Sequence, residues 1–75
     1  MDLADVTVHI DETLAQVGLD GIENALRRLD GVVSVGRRSD KRHLMVVKFN
    51  PDKLKAVDIV QCVRNEGVHA ELIGL

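Results

Sequence analysis

Residues 22–35 read IENALRRLDGVVSV, and the spacing of apolar side chains changes within this short stretch. The first half places four apolar side chains at the three- and four-residue intervals that form one helix face: Ile22, Ala25, Leu26 and Leu29. Gly31 has the backbone freedom that commonly ends a helix, so we predict that it caps this one. The alternating valines of GVVSVGR (31–37) then predict a strand with Val33 and Val35 on the same side.

The chain on either side of this helix–strand unit contains further elements. Apolar alternation, the ladder-breaking position of Pro51 and a second apolar helix face predict three more strands and one more helix, at residues 6–10, 44–50 and 68–75 and at Lys55–Glu66. A polar turn, RRSDKR (37–42), joins the second strand to the third. The second helix closes at Gly67 and turns one apolar face inward: Val57 or Ile59, then Val60, Cys62 and Val63.

The start of the first helix is less sharply marked than its end. Asp20 followed by Glu23 resembles a capping box, and Thr13 with Gln16 offers an earlier one. Gly18 and Gly21 each weaken a helix interior by up to about 1 kcal/mol relative to alanine. We therefore expect a first helical turn of low stability that begins at one of these two capping boxes.

The predicted element order is strand–helix–strand–strand–helix–strand in a single domain of residues 1–75. Short connections and right-handed crossovers leave few ways to close this order. The usual solution is an α+β ferredoxin-like sandwich, in which two helices cover one face of a four-stranded antiparallel sheet. In that fold the first and last strands are adjacent and antiparallel.

Composition excludes several classes of function. A net charge of -2 provides no general attraction to nucleic acid, and Phe49, the only aromatic residue, is predicted to be buried and unable to stack on bases. No apolar run is long enough for a membrane span, and the acidic N-terminus does not resemble a signal peptide. No nucleophile–base pair or phosphate-binding loop is recognisable. We expect a cytoplasmic protein that is not an enzyme, does not bind nucleic acid and does not insert into a membrane.

Four local motifs resemble the heavy-metal-associated domain family, the fold of copper chaperones, mercury-binding proteins and modules of metal-pumping ATPases. They are IENAL in the first helix, LDGVVSV entering the second strand, VKFNPD leaving the third, and IVQCVRNEGV entering the last. The resemblance covers about residues 6 to 72. It implies the ferredoxin-like fold and a chaperone-like role in metal binding or metal transport.

The family's metal motif, G-M-T-C-x-x-C, is absent from the chain. Counted back from Ile22, the two cysteine positions fall on Ala15 and Gly18. Neither residue supplies a thiolate, so a Cu(I) site of CxxC type is excluded. The one cysteine, Cys62, lies in the second helix, where we predict that it packs in the core as a small apolar side chain.

Other residues offer ligands for a harder ion. If Ile10 pairs with Val68, His9 and His69 become cross-strand neighbours with Cβ atoms about 5 Å apart. Asp11 or Glu12 then adds a carboxylate from the following loop. Imidazole and carboxylate together suit Zn2+ or Ni2+, so we predict a weak non-cysteine metal site formed by four residues: His9, His69, Asp11 and Glu12.

Two other functions remain open. The first is a protein-interaction or regulatory adaptor that has lost metal binding and docks a partner at loop 11–20 or at the basic turn 37–43. In that case four loop residues form a partly exposed apolar edge: Thr13, Leu14, Val17 and Leu19. The second is an amino-acid-sensing ACT-like domain, which shares the element order but requires a ligand pocket that the sequence does not identify.

Overall fold

A computed structural model describes residues 2–73 of the chain. It contains six elements in the predicted order: β1 (Ala4–Ile10), α1 (Gln16–Arg27), β2 (Val32–Arg38), β3 (Lys41–Phe49), α2 (Ala56–Arg64) and β4 (Ala70–Ile73). The four strands form one sheet in the order β2-β3-β1-β4, and every neighbouring pair is antiparallel. The predicted ferredoxin-like fold, with two helices on a four-stranded sheet, is confirmed.

The core lies between the two helices and the inner face of the sheet. Alternate residues of the central strands point into it, as the sequence predicted: Val6, Val8 and Ile10 from β1, and Met45, Val47 and Phe49 from β3. The helices add Leu19, Ile22 and Leu26 from α1, and Ile59, Val60 and Val63 from α2. No polar or charged side chain is buried among residues 2–73, so the fold is held mainly by aliphatic packing.

One predicted strand face is wrong because β2 is irregular. Val32 pairs with Phe49 and Ser34 pairs with Lys48, which leaves Val33 as an extra residue between them. A bulge of this kind shifts the alternation by one position. Val33 is therefore 56% exposed, and Val32 packs against the core together with buried Val35.

The ends of the helices also differ from the prediction. Helix α1 begins after Ala15, whose side chain makes no capping hydrogen bond, so neither predicted capping box is used. The helix ends at Arg27 with Arg28 as its C-cap, and Gly31 instead occupies the turn into β2 at a φ of 110°. In α2 the carboxylate of Asp58 accepts a hydrogen bond from the backbone N–H of Lys55 at 2.9 Å, which fixes the helix start.

The second helix is shorter than predicted, and its inward face is now defined. It ends at Arg64, although the sequence suggested that it continues to Glu66. Ile59 is fully buried whereas Val57 is 59% exposed, so Ile59 begins the apolar face. Cys62 is half-buried and packs against the edge of the core rather than inside it.

Strands β2 and β3 extend further into the basic segment than predicted, and only Ser39 and Asp40 form the turn. Strand β4 is shorter than the predicted 68–75. It begins at Ala70 and runs to Ile73, while residues 74 and 75 lie outside the described residues. Ile10 pairs with Ala70, so the predicted pairing of Ile10 with Val68 is wrong by two residues.

Candidate metal centre and adjoining surface

The shifted register changes which side chains meet at the end of β1. His9 lies directly opposite Glu71 on β4, not beside His69. Its Nδ1 atom is 3.1 Å from Oδ1 of Asp11 and 3.9 Å from Oε1 of Glu71. One potential ligand atom from each of these three residues lies within 4.8 Å of the others. The residues form a partly exposed cluster of one imidazole and two carboxylates, which we call the His9 cluster.

Glu71 was missed in the sequence analysis. The predicted pairing of Ile10 with Val68 places Glu71 two residues away from the position opposite His9. A strand β4 that begins at Ala70, opposite Ile10, places Glu71 opposite His9.

His69 and Glu12 form a separate pair. The Glu12 carboxylate lies 2.8 Å from Nδ1 of His69 and also accepts a hydrogen bond from the His69 backbone N–H at 2.9 Å. This contact raises the pKa of His69 and lowers the pKa of Glu12. The four residues predicted as one metal site are therefore divided between two groups, His9 with Asp11 and His69 with Glu12.

The third histidine, His43, also reaches this end of the sheet. Its ring stacks on that of His9, with ring centroids 5.7 Å apart and planes inclined by 17°. Its Nδ1 atom is 2.7 Å from the backbone oxygen of Ile10, and because a carbonyl only accepts, Nδ1 carries the proton and donates. In the neutral ring Nε2 is then an acceptor, 3.5 Å from Oγ1 of Thr13. The sequence analysis placed His43 in a turn and did not predict this contact.

Two positions hold cysteine in the heavy-metal-associated family that the sequence resembles, and the residues at these positions here do not form a copper site. Ala15 is exposed at the N-cap of α1, and Gly18 lies in its first turn. Neither carries sulfur. Cys62 lies on α2, and partial burial raises the pKa of its thiol, which disfavours the thiolate that a soft metal requires. A thiolate site for Cu(I) is therefore not formed by these residues.

The two segments predicted to dock a partner form one continuous surface. Arg42 donates a hydrogen bond to the backbone oxygen of Leu14 at 3.2 Å, and Arg37 donates to Asp20 at 2.8 Å. A cavity of about 330 Å3 lies between the segments and is lined by Gln16, Leu19, Arg37, Arg38, Ser39 and Arg42. Val17 is 78% exposed nearby. Leu19, predicted to be partly exposed, is buried.

No helix within residues 2–73 combines the length and the apolar character required to cross a lipid bilayer.

Comparison with known proteins finds solved structures that are similar to this one. The sequence matches no protein-family model and no curated protein. The structure, however, is similar to the copper chaperone of Enterococcus hirae in its apo form, with 28% identity, a TM-score of 0.81, and coverage of 91% of this chain and 98% of that one.

Two further solved structures show the same fold. Oxidized MerP from Ralstonia metallidurans CH34 has a TM-score of 0.85 at 16% identity and covers 97% of this chain and 100% of its own. A copper-binding domain from HMA7, a P-type ATPase, has a TM-score of 0.84 at 21% identity and covers 93% of each chain. The chain thus shares its fold with a copper chaperone, with MerP and with a copper-binding ATPase domain. Its sequence has a single cysteine and lacks the CxxC motif.

Proposed function

We propose that this domain binds a divalent metal ion through His9, Asp11 and Glu71 in place of a cysteine pair. The observation that carries the proposal is the His9 cluster, in which three potential ligand atoms lie within 4.8 Å of one another. His9 lies near the end of β1, Asp11 begins the loop to α1, and Glu71 lies on β4. The similar structures include a copper-binding domain and a copper chaperone, which supports a metal-related role.

The donor set favours a borderline ion. One imidazole nitrogen with two carboxylate oxygens suits Zn2+ or Ni2+ better than Cu(I), which prefers thiolate and thioether ligands. Three protein ligands leave coordination positions for water, and the exposed carboxylates make the site weaker than an enclosed one. We leave His69 and Glu12 outside the ligand set because they hydrogen-bond to each other.

The proposal is tested by titrating the 15N-labelled domain with Zn2+ and Ni2+ and recording amide and imidazole NMR shifts. We expect saturable changes centred on residues 9–11 and 71, which disappear on acidification because imidazole must be deprotonated to bind a metal. His9→Ala and Glu71→Gln should each abolish the response.

His69→Ala is the matched control, since it removes a neighbouring histidine that is outside the proposed ligand set. It should leave metal binding intact. If His9→Ala still responds, or if the native domain shows no change below about millimolar metal, the proposed site is wrong.

A second candidate function is partner docking, which is favoured by the surface that joins loop 11–20 to the basic hairpin. Val17 is exposed, and its chain neighbour Gln16 lines a cavity together with Arg37, Arg38 and Arg42. Such a surface suits a partner that presents carboxylates around an apolar contact. A hexaglutamate peptide serves as the probe.

If the surface docks such a partner, the peptide should shift amides at residues 14–17 and 37–42, and the effect should weaken with salt. Arg42→Glu should remove the shifts, whereas Lys55→Glu at the N-cap of α2 should not. Metal binding and docking are distinguished by their separate probes and by their separate variants. Peptide shifts that survive Arg42→Glu would argue against docking at this surface.

A further inference from the structure

The outer face of the sheet carries an uncharged row that crosses all four strands. Gly36 pairs with Val46, Val46 pairs with Thr7, and Thr7 pairs with Ile73. The helices cover the opposite face, where the neighbours Met45 and Val47 are fully buried. Val46 and Ile73 are 38% and 39% exposed, so this row presents apolar surface to solvent.

Glycine at position 36 is required neither by the backbone nor by packing within the domain. Gly36 is not among the residues with positive φ, whereas Gly31 and Gly67 are. A Cβ atom built at position 36 would have only the backbone oxygen of Val46 within 4 Å, at 3.8 Å. Glycine inside a strand weakens it, and it often marks a place where a ligand or another chain approaches the backbone closely.

The missing side chain leaves an open cleft above the sheet. The cleft has a volume of about 400 Å3 and is lined by Thr7, Gly36, Arg37, Arg38, Lys41, Leu44 and Val46. Leu44, Val46 and the bare backbone of Gly36 form its apolar part, and the basic residues border it toward the hairpin. This combination of an apolar surface with a few polar groups at one side is typical of small-ligand sites.

The basic residues that line the cleft are not equivalent. Arg37 is engaged with Asp20 and Glu23, and Arg38 is engaged with Asp40. Among residues 2–73, no carboxylate lies within the 4.0 Å ion-pair distance of the Lys41 ammonium. Lys41 therefore provides an uncompensated positive charge beside an apolar surface.

We propose that this cleft binds an amphipathic carboxylate. Its apolar chain lies across Gly36 and Val46, against Leu44, and its carboxylate pairs with Lys41. Charge complementarity with Lys41 favours an anionic ligand. Because Gly36 has no side chain, the ligand's apolar chain has room to contact the sheet directly. This site is separate from the His9 cluster and does not depend on metal binding.

The test uses sodium octanoate as the ligand and 1-octanol as the uncharged control, with amide shifts of the full chain recorded by NMR. We expect saturable shifts at Thr7, Gly36, Leu44 and Val46 at roughly millimolar octanoate, and weaker shifts with octanol. Gly36→Val should weaken octanoate binding about tenfold because the new side chain fills the cleft. Lys41→Gln should reduce the preference for octanoate over octanol.

Two controls keep the result interpretable. Valine favours strands, so Gly36→Val should remain folded, which circular dichroism and thermal melting will verify. Val57→Thr replaces an exposed valine on α2 and should not alter octanoate binding. The proposal is overturned if octanoate causes no shifts or if Gly36→Val binds it equally well.

Discussion

The carboxylate of Glu12 contacts His69 twice, at the backbone N–H and at the ring Nδ1 atom, although the two residues are 57 positions apart in the chain. The backbone N–H of Asp11 also donates to the His69 oxygen at 2.9 Å. These contacts fix the start of the β1–α1 loop against the segment that leads into β4. The backbone hydrogen bond between Asp11 and His69 holds Asp11 beside His9 and does not involve the His69 ring.

Replacing Glu12 with glutamine should lower the pKa of His69 toward its ordinary value of 6.5, because the carboxylate that favours the protonated ring is removed. Titration of the histidine ring signals by NMR measures this directly. The raised pKa of His69 contributes stability at low pH that is lost as pH rises through it. The lowered pKa of Glu12 contributes stability above its ordinary value of 4.5 that is lost as pH falls through the lowered value.

The difference in melting temperature between the native chain and Glu12→Gln should therefore be largest between about pH 4.5 and 6.5. Asp52→Asn, a change at an exposed turn residue, is the control and should show no such maximum. A His69 pKa that does not move in Glu12→Gln would show that the pair does not persist in solution.

The sequence was sufficient to predict the fold because its apolar spacing is consistent over the central elements. Val6, Val8 and Ile10, with Met45, Val47 and Phe49, alternate as predicted and are all buried. The register of β4 was not predictable in the same way. Its alternation fits either Val68 or Ala70 opposite Ile10, and a shift of two residues keeps the same side chains facing inward.

The candidate site was therefore only half predicted. His9 and Asp11 are close in sequence and remain close in space, at 3.1 Å. Glu71 joins them only through the register in which β4 pairs with β1. His43 contacts His9 because β3 continues into a segment whose polar composition indicated a turn. The exposed Val33 is a similar case, since a bulge has no clear signal in a run of valines.

Gly21 and Gly31 should respond in opposite directions to substitution by alanine. Gly21 lies within α1, and a Cβ atom there meets nothing within 4 Å, so Gly21→Ala should stabilise the domain by about 0.5–1 kcal/mol. Gly31 has a φ of 110°, and its Cβ would lie 2.9 Å from Cβ of Lys53. Gly31→Ala should destabilise the domain by about 1–3 kcal/mol. Urea unfolding measures both, and a stabilising Gly31→Ala would contradict the described turn.

Leu26 is fully buried between α1 and the sheet, and Leu26→Ala should cost about 2–5 kcal/mol of unfolding free energy. That is a large share of the total for a chain of this size, so some molecules should be unfolded without denaturant. Val57→Ala is the control, because this valine is exposed and alanine favours helix, and it should cause no loss of stability. Equal losses in the two variants, measured by urea unfolding, would show that Leu26 is not a core residue.

The double variant Ala15→Cys, Gly18→Cys should gain tight Cu(I) binding, because the fold retains the helix start on which a CxxC pair is placed. Ala15 is exposed at the N-cap, and a Cβ at Gly18 makes an ordinary 3.5 Å contact with Leu14. The start of a helix lowers thiol pKa values, which favours the thiolates that Cu(I) requires. Competition with a chromophoric Cu(I) chelator should show one ion per chain in the double variant and much weaker binding in Ala15→Ser, Gly18→Ser, which retains Cys62. A folded double-cysteine variant that does not outcompete the serine control would show that Ala15 and Gly18 are not at the cysteine positions of the metal-binding fold.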